Sequence, residues 1–398
     1  MFKFVKNPCN IYTIGWCLYY LQGTLYPFGS LIAKIILLLL LIYSLSICLK
    51  NRFFNAESTY FKGLNLILLI YTLYGIAHLM FGNYEFSITG QFGLDLLKPI
   101  YISILPIYVF YYFSKNTYLN DKWFSNWILI FVVVVICSFY REQEERIMMI
   151  AELGSQRDEV TNNTGYLFAS LIPMLFFVKR NTWYQFGLLS VLLLFVVFAM
   201  KRGAILVGGL SAVIYIYYFI KTKKSIYKFG SIILIAIFIV LLFSKLENFI
   251  LQSDYFNVRL QQTLNGDSSG RDTMYAQILD YFWNQTFVIS FLVGSGLVGT
   301  LELLGNGAHN DWLEFAIDMG LLGVVVYFIY WRRFILVWLR YNEGDNIKYA
   351  MGVIIVSELL KTLFSFSINS LPIYEVILLG YCLSLINKTK KNEYNNRR

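Results

Sequence analysis

Twelve apolar runs recur along the chain and limit its fold more than any other feature of the sequence. Each is close to the roughly 20 residues that a helix needs to cross the hydrocarbon of a bilayer. Within lipid a backbone has to satisfy its own hydrogen bonds, which a helix does. The runs therefore predict an all-α polytopic membrane protein with about 12 transmembrane helices in a single transmembrane domain over residues 1–398. The predicted spans are residues 11–27, 31–49, 61–81, 98–114, 124–140, 163–179, 183–200, 203–220, 226–243, 313–331, 348–366 and 371–387.

Charged residues are scarce and unevenly placed, which predicts how the spans are oriented. Only 14% of the residues are charged, against about a quarter in an ordinary soluble domain. Twelve spans put both termini on one side, where 22 of the 33 basic residues then lie, with nine on the other side. Since lysine and arginine collect in cytoplasmic loops, both termini are predicted to be cytoplasmic. The net charge of +9 is then a topology signal dispersed over short loops, which argues against a nucleic-acid partner.

Two loops on the opposite, outer side are long enough to have structure of their own. Residues 141–162 are acidic and predicted to be partly helical, and residues 244–311 form the longest segment without a clear span. Long loops in compact proteins are usually functional. Residues 274–293 within the second loop are amphipathic, so they are predicted to lie along the membrane interface or to dip into it. The polar residues 387–398 are predicted to be a cytoplasmic tail without regular structure.

No signature of a familiar soluble enzyme or metal site occurs in the sequence. The Walker loop, the dinucleotide fingerprint, HExxH and GxSxG are all absent. The two histidines, His78 and His309, are far apart in sequence, and neither has a second metal ligand at helical spacing. The five cysteines show no paired spacing. The sequence therefore predicts neither a metal nor a cofactor.

Three arginines on the predicted outer side are candidates for binding a phosphate. Arg202 follows Lys201 at a tight turn between two spans, and the small residues after it allow close helix packing. Arg259 and Arg271 lie in the long outer loop, where Arg271 opens a predicted helix. A planar guanidinium binds a phosphate through two hydrogen bonds, although a snorkelling or solvated arginine has the same sequence pattern. As functional groups, the three arginines would suit a lipid-linked pyrophosphate at the membrane surface.

The segment around His309 combines a candidate base with residues that also suit a helix start. A neutral imidazole can accept a proton from a sugar hydroxyl as that hydroxyl attacks, whereas the structural alternative is a histidine bonded to water. Asn310 or Asp311 would cap the span that follows. Glu314 and Asp318 are one helical turn apart and so share a face, and acids in a span usually face a cavity or a partner.

Three further charged residues lie in the last two predicted spans. Glu358 and Lys361 are three residues apart, so they are predicted to pair with each other. Glu375 has no obvious partner in the sequence, and its role stays open.

Four short motifs between Lys201 and Phe328 resemble, in their order and spacing, the signature of the O-antigen ligase and O-antigen polymerase membrane glycosyltransferases. They are KRGA at 201–204, VRL and SSGR within 258–271, FLVGSGLVG at 291–299 and AHNDWLEFAIDMGLLGVVVYF at 308–328. The first 200 residues resemble this superfamily only as a pattern of spans. The resemblance implies a GT-C-type glycosyltransferase fold in the bacterial inner membrane, with a large periplasmic loop between spans 9 and 10 and an active site facing the periplasm.

The resemblance also implies a reaction and a set of site residues. The family moves a glycan from undecaprenyl pyrophosphate to an acceptor hydroxyl, without a nucleotide sugar or a metal. Carried over by motif, Arg202 and Arg271, with Arg259 aligned less closely, would hold the pyrophosphate, and His309 would position or deprotonate the acceptor. Supporting positions would be Asn310, Asp311 and Glu314. Residues 272–275 depart from the pattern, since many members have a tryptophan shortly after the arginine.

Three functions are compatible with these motifs. A polymerase would join lipid-linked repeat units, and the HNDWLE segment resembles polymerase-like members. A ligase would instead transfer the finished glycan to lipid A–core. A twelve-span transporter or flippase of lipid-linked oligosaccharide is the alternative from another class, although the two halves of the chain do not mirror each other as such folds often do. The predicted partners are the undecaprenyl-pyrophosphate-linked oligosaccharide and the lipid bilayer, with a chain-length regulator and a flippase as candidate protein partners.

Overall fold

The described part of the chain is helical throughout. The computed structural model describes residues 7–27, 29–51, 59–81, 93–153, 162–199, 201–222, 271–285, 287–305, 307–341 and 344–396. Within these ranges no β-strand is formed; one isolated bridge joins Gln22 and Tyr26. The prediction of an all-α protein is therefore confirmed for this part of the chain.

Fourteen helices follow one another in the described residues. The first eight are α1 (Pro8–Tyr20), α2 (Leu31–Lys50), α3 (Thr59–Phe81), α4 (Gly93–Lys115), α5 (Asp121–Leu153), α6 (Thr164–Leu171), α7 (Thr182–Phe198) and α8 (Arg202–Thr222). The other six are α9 (Arg271–Trp283), α10 (Val288–Val293), α11 (Gly299–Leu304), α12 (Asp311–Leu339), α13 (Asp345–Phe364) and α14 (Ile373–Asn396). Two 3₁₀ segments, Ile172–Phe177 and Ile368–Ser370, follow α6 and α13.

Five of these helices are long and apolar enough to cross a membrane. They are α2, residues 60–81 of α3, residues 121–145 of α5, α8 and α12. Two shorter apolar segments, Thr164–Phe177 and Thr182–Phe198, accompany them. The prediction of a multi-pass membrane protein is thus confirmed. The count of twelve and the GT-C-type fold stay predictions, and the proposed ninth span, 226–243, lies outside the described residues.

Several helix ends differ from the predicted spans, for reasons that lie in the local sequence. Helix α5 continues into the acidic segment as far as Leu153, because residues 121–153 contain neither glycine nor proline. Helix α6 narrows to a 3₁₀ segment at Pro173, a residue that cannot donate the next helical hydrogen bond. The predicted unstructured tail is wrong in the described residues, since α14 runs through Asn396 without a helix breaker after Gly380.

Helix α12 is interrupted within the bundle at Gly320. Its φ of 63° and ψ of −159° lie in a region that only glycine occupies readily. The interruption frees two backbone carbonyls of the preceding turn, and a loop after α10 satisfies both. The Ser295 amide donates to the Ile317 carbonyl at 2.8 Å, and the Gly296 amide donates to the Asp318 carbonyl at 2.9 Å.

Two antiparallel helix pairs bring distant parts of the chain to one end of the bundle. In the first pair, Tyr60 of α3 packs against Phe334 of α12, and Tyr71 packs against Phe315. In the second pair, Ser211 of α8 lies 3.2 Å from Ser357 of α13 through their hydroxyl oxygens. The start of α8, the start of α12 and the end of α13 therefore share one end of the bundle.

Candidate active site at one end of the bundle

Helices α6, α8, α9, α12 and α13 each have one terminus at this shared end. A Cβ on Gly203 at the start of α8 would meet the Tyr166 hydroxyl of α6 and the Phe364 ring of α13. The Tyr275 hydroxyl of α9 donates to the Leu363 carbonyl at 3.3 Å. The segment before α12 reaches the same carbonyl, which accepts a hydrogen bond from the Asn310 side-chain amide at 3.3 Å. The fold thus brings together α8, α9 and the start of α12, three of the elements that carry the motifs.

Gly305 and residues 307–310, before α12, lie at this end of the bundle. Their backbone is held in place there. Gly305 has a φ of 68° and ends α11. A Cβ on Gly307 would stand 2.7 Å from the Phe366 ring and 2.9 Å from Oε1 of Glu314. The Ala308 amide donates to that same Glu314 oxygen at 2.7 Å, and Ala308 is fully buried. The loop therefore has little freedom at the residue before His309.

His309 is held in a conformation and an environment that favour a neutral imidazole. Its φ of 52° lies in the left-handed region, which is uncommon for residues other than glycine. The ring lies against Phe366, with centroids 5.4 Å apart. Burial lowers the pKa of His309 below its ordinary value, and the nearby positive charges of Arg271 and Lys201 lower it further. At neutral pH the imidazole can therefore accept a proton.

Asn310 and Asp311 have structural roles that the sequence allowed for. The Asn310 side-chain oxygen accepts from the amides of Trp312 and Leu313 at 3.0 and 3.2 Å, which confirms it as the N-cap of α12. Asp311 is 2% exposed, and its carboxylate accepts from the Tyr327 hydroxyl at 2.6 Å. The Ser367 amide, beyond α13, donates to the same carboxylate at 3.1 Å. Asp311 thereby ties the start of α12 to the segment that carries Phe366.

Glu314 and Asp318 share one face of α12, as predicted, and both face the preceding loop. Glu314 holds Ala308, as described above. Oδ1 of Asp318 accepts from the amide and the hydroxyl of Thr300, each at 2.8 Å. These two acids hold Thr300 and Ala308 on α12 and act on the site through the position of those residues.

The predicted arginines differ in where the structure places them. Arg271 opens α9, is partly buried and acts electrostatically on His309. Arg202 opens α8 and is exposed, and in this structure the cation that acts on His309 from that turn is Lys201. Arg259 lies outside the described residues. The structure therefore places the charges of Arg271 and Lys201 near His309, and Arg202 follows Lys201 in the sequence.

Three neighbours of the site were missed by the sequence reasoning. Lys201 is part of the KRGA motif, but only the adjacent Arg202 was predicted to be a site residue. Tyr166 lies within electrostatic reach of Arg271, and the only signal for it was its place near the predicted outer end of a predicted span. Phe366 contacts His309, and no sequence signal could have found it because tertiary packing alone creates the contact.

A buried polar network lies behind the site. Glu358 and Lys361 of α13 pair at 2.8 Å and are 1% and 3% exposed, which confirms the predicted pair. The Ser367 hydroxyl donates to the other oxygen of Glu358 at 2.5 Å. Lys361 also lies 5.7 Å from the centroid of the Tyr166 ring. Glu375, whose role the sequence left open, is buried in α14 beside this pair.

The arrangement combines positive charge with a proton acceptor at the end of a helix bundle. Arg271 and Lys201 supply cations for an anionic group, and His309 supplies the imidazole. Within the described ranges, no three histidine, cysteine, aspartate or glutamate side chains are grouped so that they could hold a metal ion. Such a site can bind an anion and take up a proton.

The fold and the site define an all-helical, multi-pass membrane protein with a cationic site around a neutral histidine at one end of its bundle. Residues 186–328 match the family model described as O-Antigen ligase. This match includes Arg202, Arg271 and His309, and it confirms the resemblance to the superfamily of O-antigen ligases and O-antigen polymerases. Members of the family are glycosyltransferase-like enzymes with lipid-linked glycan substrates. A search of the curated proteins gave no match.

Proposed function

We propose that this protein is a bacterial surface-polysaccharide polymerase of the O-antigen type. It would transfer an undecaprenyl-pyrophosphate-linked glycan to the terminal sugar hydroxyl of another lipid-linked repeat unit at the periplasmic face of the inner membrane. The observation that carries this proposal is the electrostatic effect of Arg271 and Lys201 on His309, inside the segment that matches the family model. The excess of basic residues on the opposite side supports the periplasmic orientation.

The proposed reaction needs no cofactor for its driving force. The acceptor hydroxyl oxygen forms a bond to the anomeric carbon of the donor glycan as the bond from that carbon to the pyrophosphate oxygen breaks. The hydroxyl proton goes to His309, and undecaprenyl pyrophosphate leaves with the bonding electron pair. Cleavage of the sugar–pyrophosphate bond supplies the free energy, so the reaction can run where no nucleoside triphosphate is available.

Each side chain has a role that follows from its charge and position. Arg271, assisted by Arg202 and by Lys201, would bind the pyrophosphate and stabilise its charge as it leaves. Burial, together with the charges of Arg271 and Lys201, lowers the pKa of His309 and so keeps it able to accept a proton at neutral pH. Glu314, through Ala308, and Asn310, through its cap, would position His309. The Phe366 ring would restrict its rotation.

A ligase is the second candidate, because the matching family model itself is described as O-Antigen ligase. The two functions give different products in a strain that lacks the gene, when surface polysaccharide and lipid A–core are run on one gel. For a polymerase, we expect single repeat units on lipid A–core and no ladder. Bare lipid A–core, with long chains retained on undecaprenyl pyrophosphate, would identify a ligase instead.

The site assignment is tested by complementing that strain with single variants. We expect Arg271→Ala and His309→Ala to lower polymer formation by about 100-fold or more, as loss of a charge-stabilising or proton-accepting group does. Arg180→Ala, which changes an exposed arginine between α6 and α7, is the matched control and should complement fully. Normal polymer from both site variants, at normal protein levels, would refute the assignment.

A transport function is separated from an enzyme by a purified system. The protein and lipid-linked oligosaccharide are mixed in one detergent solution, where no second compartment exists. Longer lipid-linked products would support the enzyme, and their absence with an active donor would contradict it.

A further inference from the structure

Residues 281–301 form an uncharged and largely apolar stretch inside the long loop. Asp280 and Glu302 flank it, and no lysine, arginine, aspartate or glutamate occurs between them. The stretch includes the end of α9, all of α10 and the loop that reaches the interruption in α12. Its length is close to that of a span, yet α10 has only 6 residues.

Both ends of this stretch return to the same end of the bundle. Arg271 opens α9 before it, and His309 follows α11 after it, and the two residues interact electrostatically. The two limbs also contact each other, since the Tyr281 hydroxyl lies 3.1 Å from the Ser295 hydroxyl. Phe282 and Phe291 pack with ring centroids 4.8 Å apart. The stretch is therefore a hairpin that enters and leaves the bundle at the same end.

Residues 293–296 form the tip of the hairpin. They are hydrogen-bonded to two candidate spans at positions well inside the bundle, away from the ends of those spans. The Ser295 amide donates to the Ile317 carbonyl, six residues into α12, which is roughly 9 Å along a helix. The Tyr74 hydroxyl of α3 donates to the Val293 carbonyl, and Tyr74 lies seven residues from the end of that helix, or roughly 10 Å. Helices α3 and α12 are antiparallel, so both distances are measured from the same end of the bundle.

The outer face of the hairpin is apolar and exposed at this depth. Val288 and Ile289 are 72% and 74% exposed, and Trp283 and Phe287 are almost as accessible. On the neighbouring spans, Leu322 of α12 and Leu73 of α3 are likewise exposed apolar side chains. Exposed apolar side chains at the depth of membrane-spanning residues fit hydrocarbon, because large exposed apolar patches on a soluble surface are rare.

We propose that residues 283–285 and 287–298 belong to a re-entrant hairpin in the same leaflet as the site, with Trp283, Phe287, Val288, Ile289 and Leu292 in contact with bilayer hydrocarbon. The backbone at the tip is not helical, and such backbone is tolerated at membrane depth only where protein satisfies it. The hydrogen bonds from Ser295 and Gly296 to α12, and from Tyr74 to Val293, meet that condition. The bilayer thus anchors the loop that connects Arg271 to His309.

Site-directed spin labelling of the full-length protein in proteoliposomes tests this inference. Single cysteines are introduced at Ile289 and Val288 in a background in which the five native cysteines are replaced. Leu322 is the reference for a lipid-facing position, and Gln277, an exposed residue of α9, is the reference for water. Collision rates are measured with oxygen, which concentrates in hydrocarbon, and with a water-soluble nickel chelate.

Both hairpin labels should match Leu322, with high oxygen accessibility and a nickel accessibility severalfold below that of Gln277. Nickel accessibility equal to that of Gln277 would place the surface in water and overturn the inference. Low accessibility to both reagents would mean that protein covers the surface, and this would overturn it as well. Since the readout is independent of activity, failure of the proposed glycosyl transfer would leave the result unaffected.

Discussion

His309 is the residue whose chemistry depends most on its neighbours. A histidine in water is half protonated near pH 6.5, and here burial, Arg271 and Lys201 all disfavour the charged form. The pKa of the folded protein therefore lies below that of the free side chain. As the pH falls, the base form persists further into the acid range than it would for an isolated histidine.

Lys201→Met should move the acid limb of the pH profile to higher pH. Removing a cation near His309 makes protonation easier, so the pKa rises towards its ordinary value. The lower apparent pKa of kcat/KM should rise with it, because that apparent pKa reports the protonation of the free enzyme's base. The measurement is polymer formation by purified protein between pH 5 and pH 8.

Lys221→Met is the matched control for this substitution, because Lys201 directly precedes α8 and Lys221 lies in the last turn of that helix, at its opposite end. It should leave the acid limb unchanged. A downward shift with Lys201→Met, or an equal shift with both variants, would contradict the assigned role of Lys201.

At the residue scale, sequence reasoning predicted the charged groups better than their surroundings. Arg271 and His309 stand in motifs with a chemical meaning, and they are neighbours in the structure. Phe366 and Leu363 lie beyond the matched segment and have no polar group that would single them out. Their contacts with His309 and Asn310 arise only when α13 packs against α12.

At the scale of elements, the packing of the loop before α12 fixes the position of His309. A Cβ on Gly307 would stand within 3 Å of both the Phe366 ring and the Glu314 carboxylate. Neither can move freely, since the ring contacts His309 and the carboxylate accepts from Ala308. A change at Gly307 is therefore transmitted directly to His309.

Gly307→Ala should lower activity by about 10- to 100-fold, because displacements of about 1 Å near reacting groups have effects of that size. Protein level in the membrane should change little. Gly209→Ala in α8 is the matched control, since a Cβ there meets no atom within 4 Å. Full activity of the Gly307 variant would show that the loop does not set the position of His309.

The interruption in α12 gives a second prediction at this scale. Gly320→Ala should lower the free energy of unfolding by about 1–3 kcal/mol for the backbone conformation alone. A Cβ would also stand 2.5 Å from the Gly294 amide nitrogen, which pushes the hairpin off the helix. Thermal unfolding in detergent measures the loss, with Gly209→Ala again as the control. An unchanged midpoint would mean that the helix closes over the interruption without the hairpin.

The sequence predicted helices well where their apolar composition determines them. It predicted them less well where contacts with other parts of the fold determine their shape. The spans of α2, α3 and α8 follow from their apolar length alone. The interruption at Gly320 could not be predicted, because a glycine in an apolar helix is compatible with a continuous helix. Only the contact with Ser295 and Gly296 makes the broken form stable.

At the scale of the whole molecule, the buried network joins the matched segment to the C-terminal helices. Asp311 at the start of α12 accepts from Ser367, and Ser367 donates in turn to Glu358, which pairs with Lys361. The family match ends at residue 328, so three of these four residues lie outside it. The sequence predicted the Glu358–Lys361 pair from its spacing, but nothing in it indicated the link to Asp311.

The buried pair and an exposed pair on the same bundle should differ sharply in a double-mutant cycle. Glu358→Gln or Lys361→Met alone leaves a charge buried without its partner, which costs about 3–5 kcal/mol. The double variant removes both charges and should recover much of that loss. Lys221 and Asp345, 3.7 Å apart and about half exposed, form the control pair, for which solvent screening leaves no measurable coupling. Unfolding in mixed detergent micelles supplies the free energies. If the losses from the single substitutions at Glu358 and Lys361 were additive, the two residues would not be coupled, and this would contradict a role for their pair in the network that holds the Phe366 segment against α12.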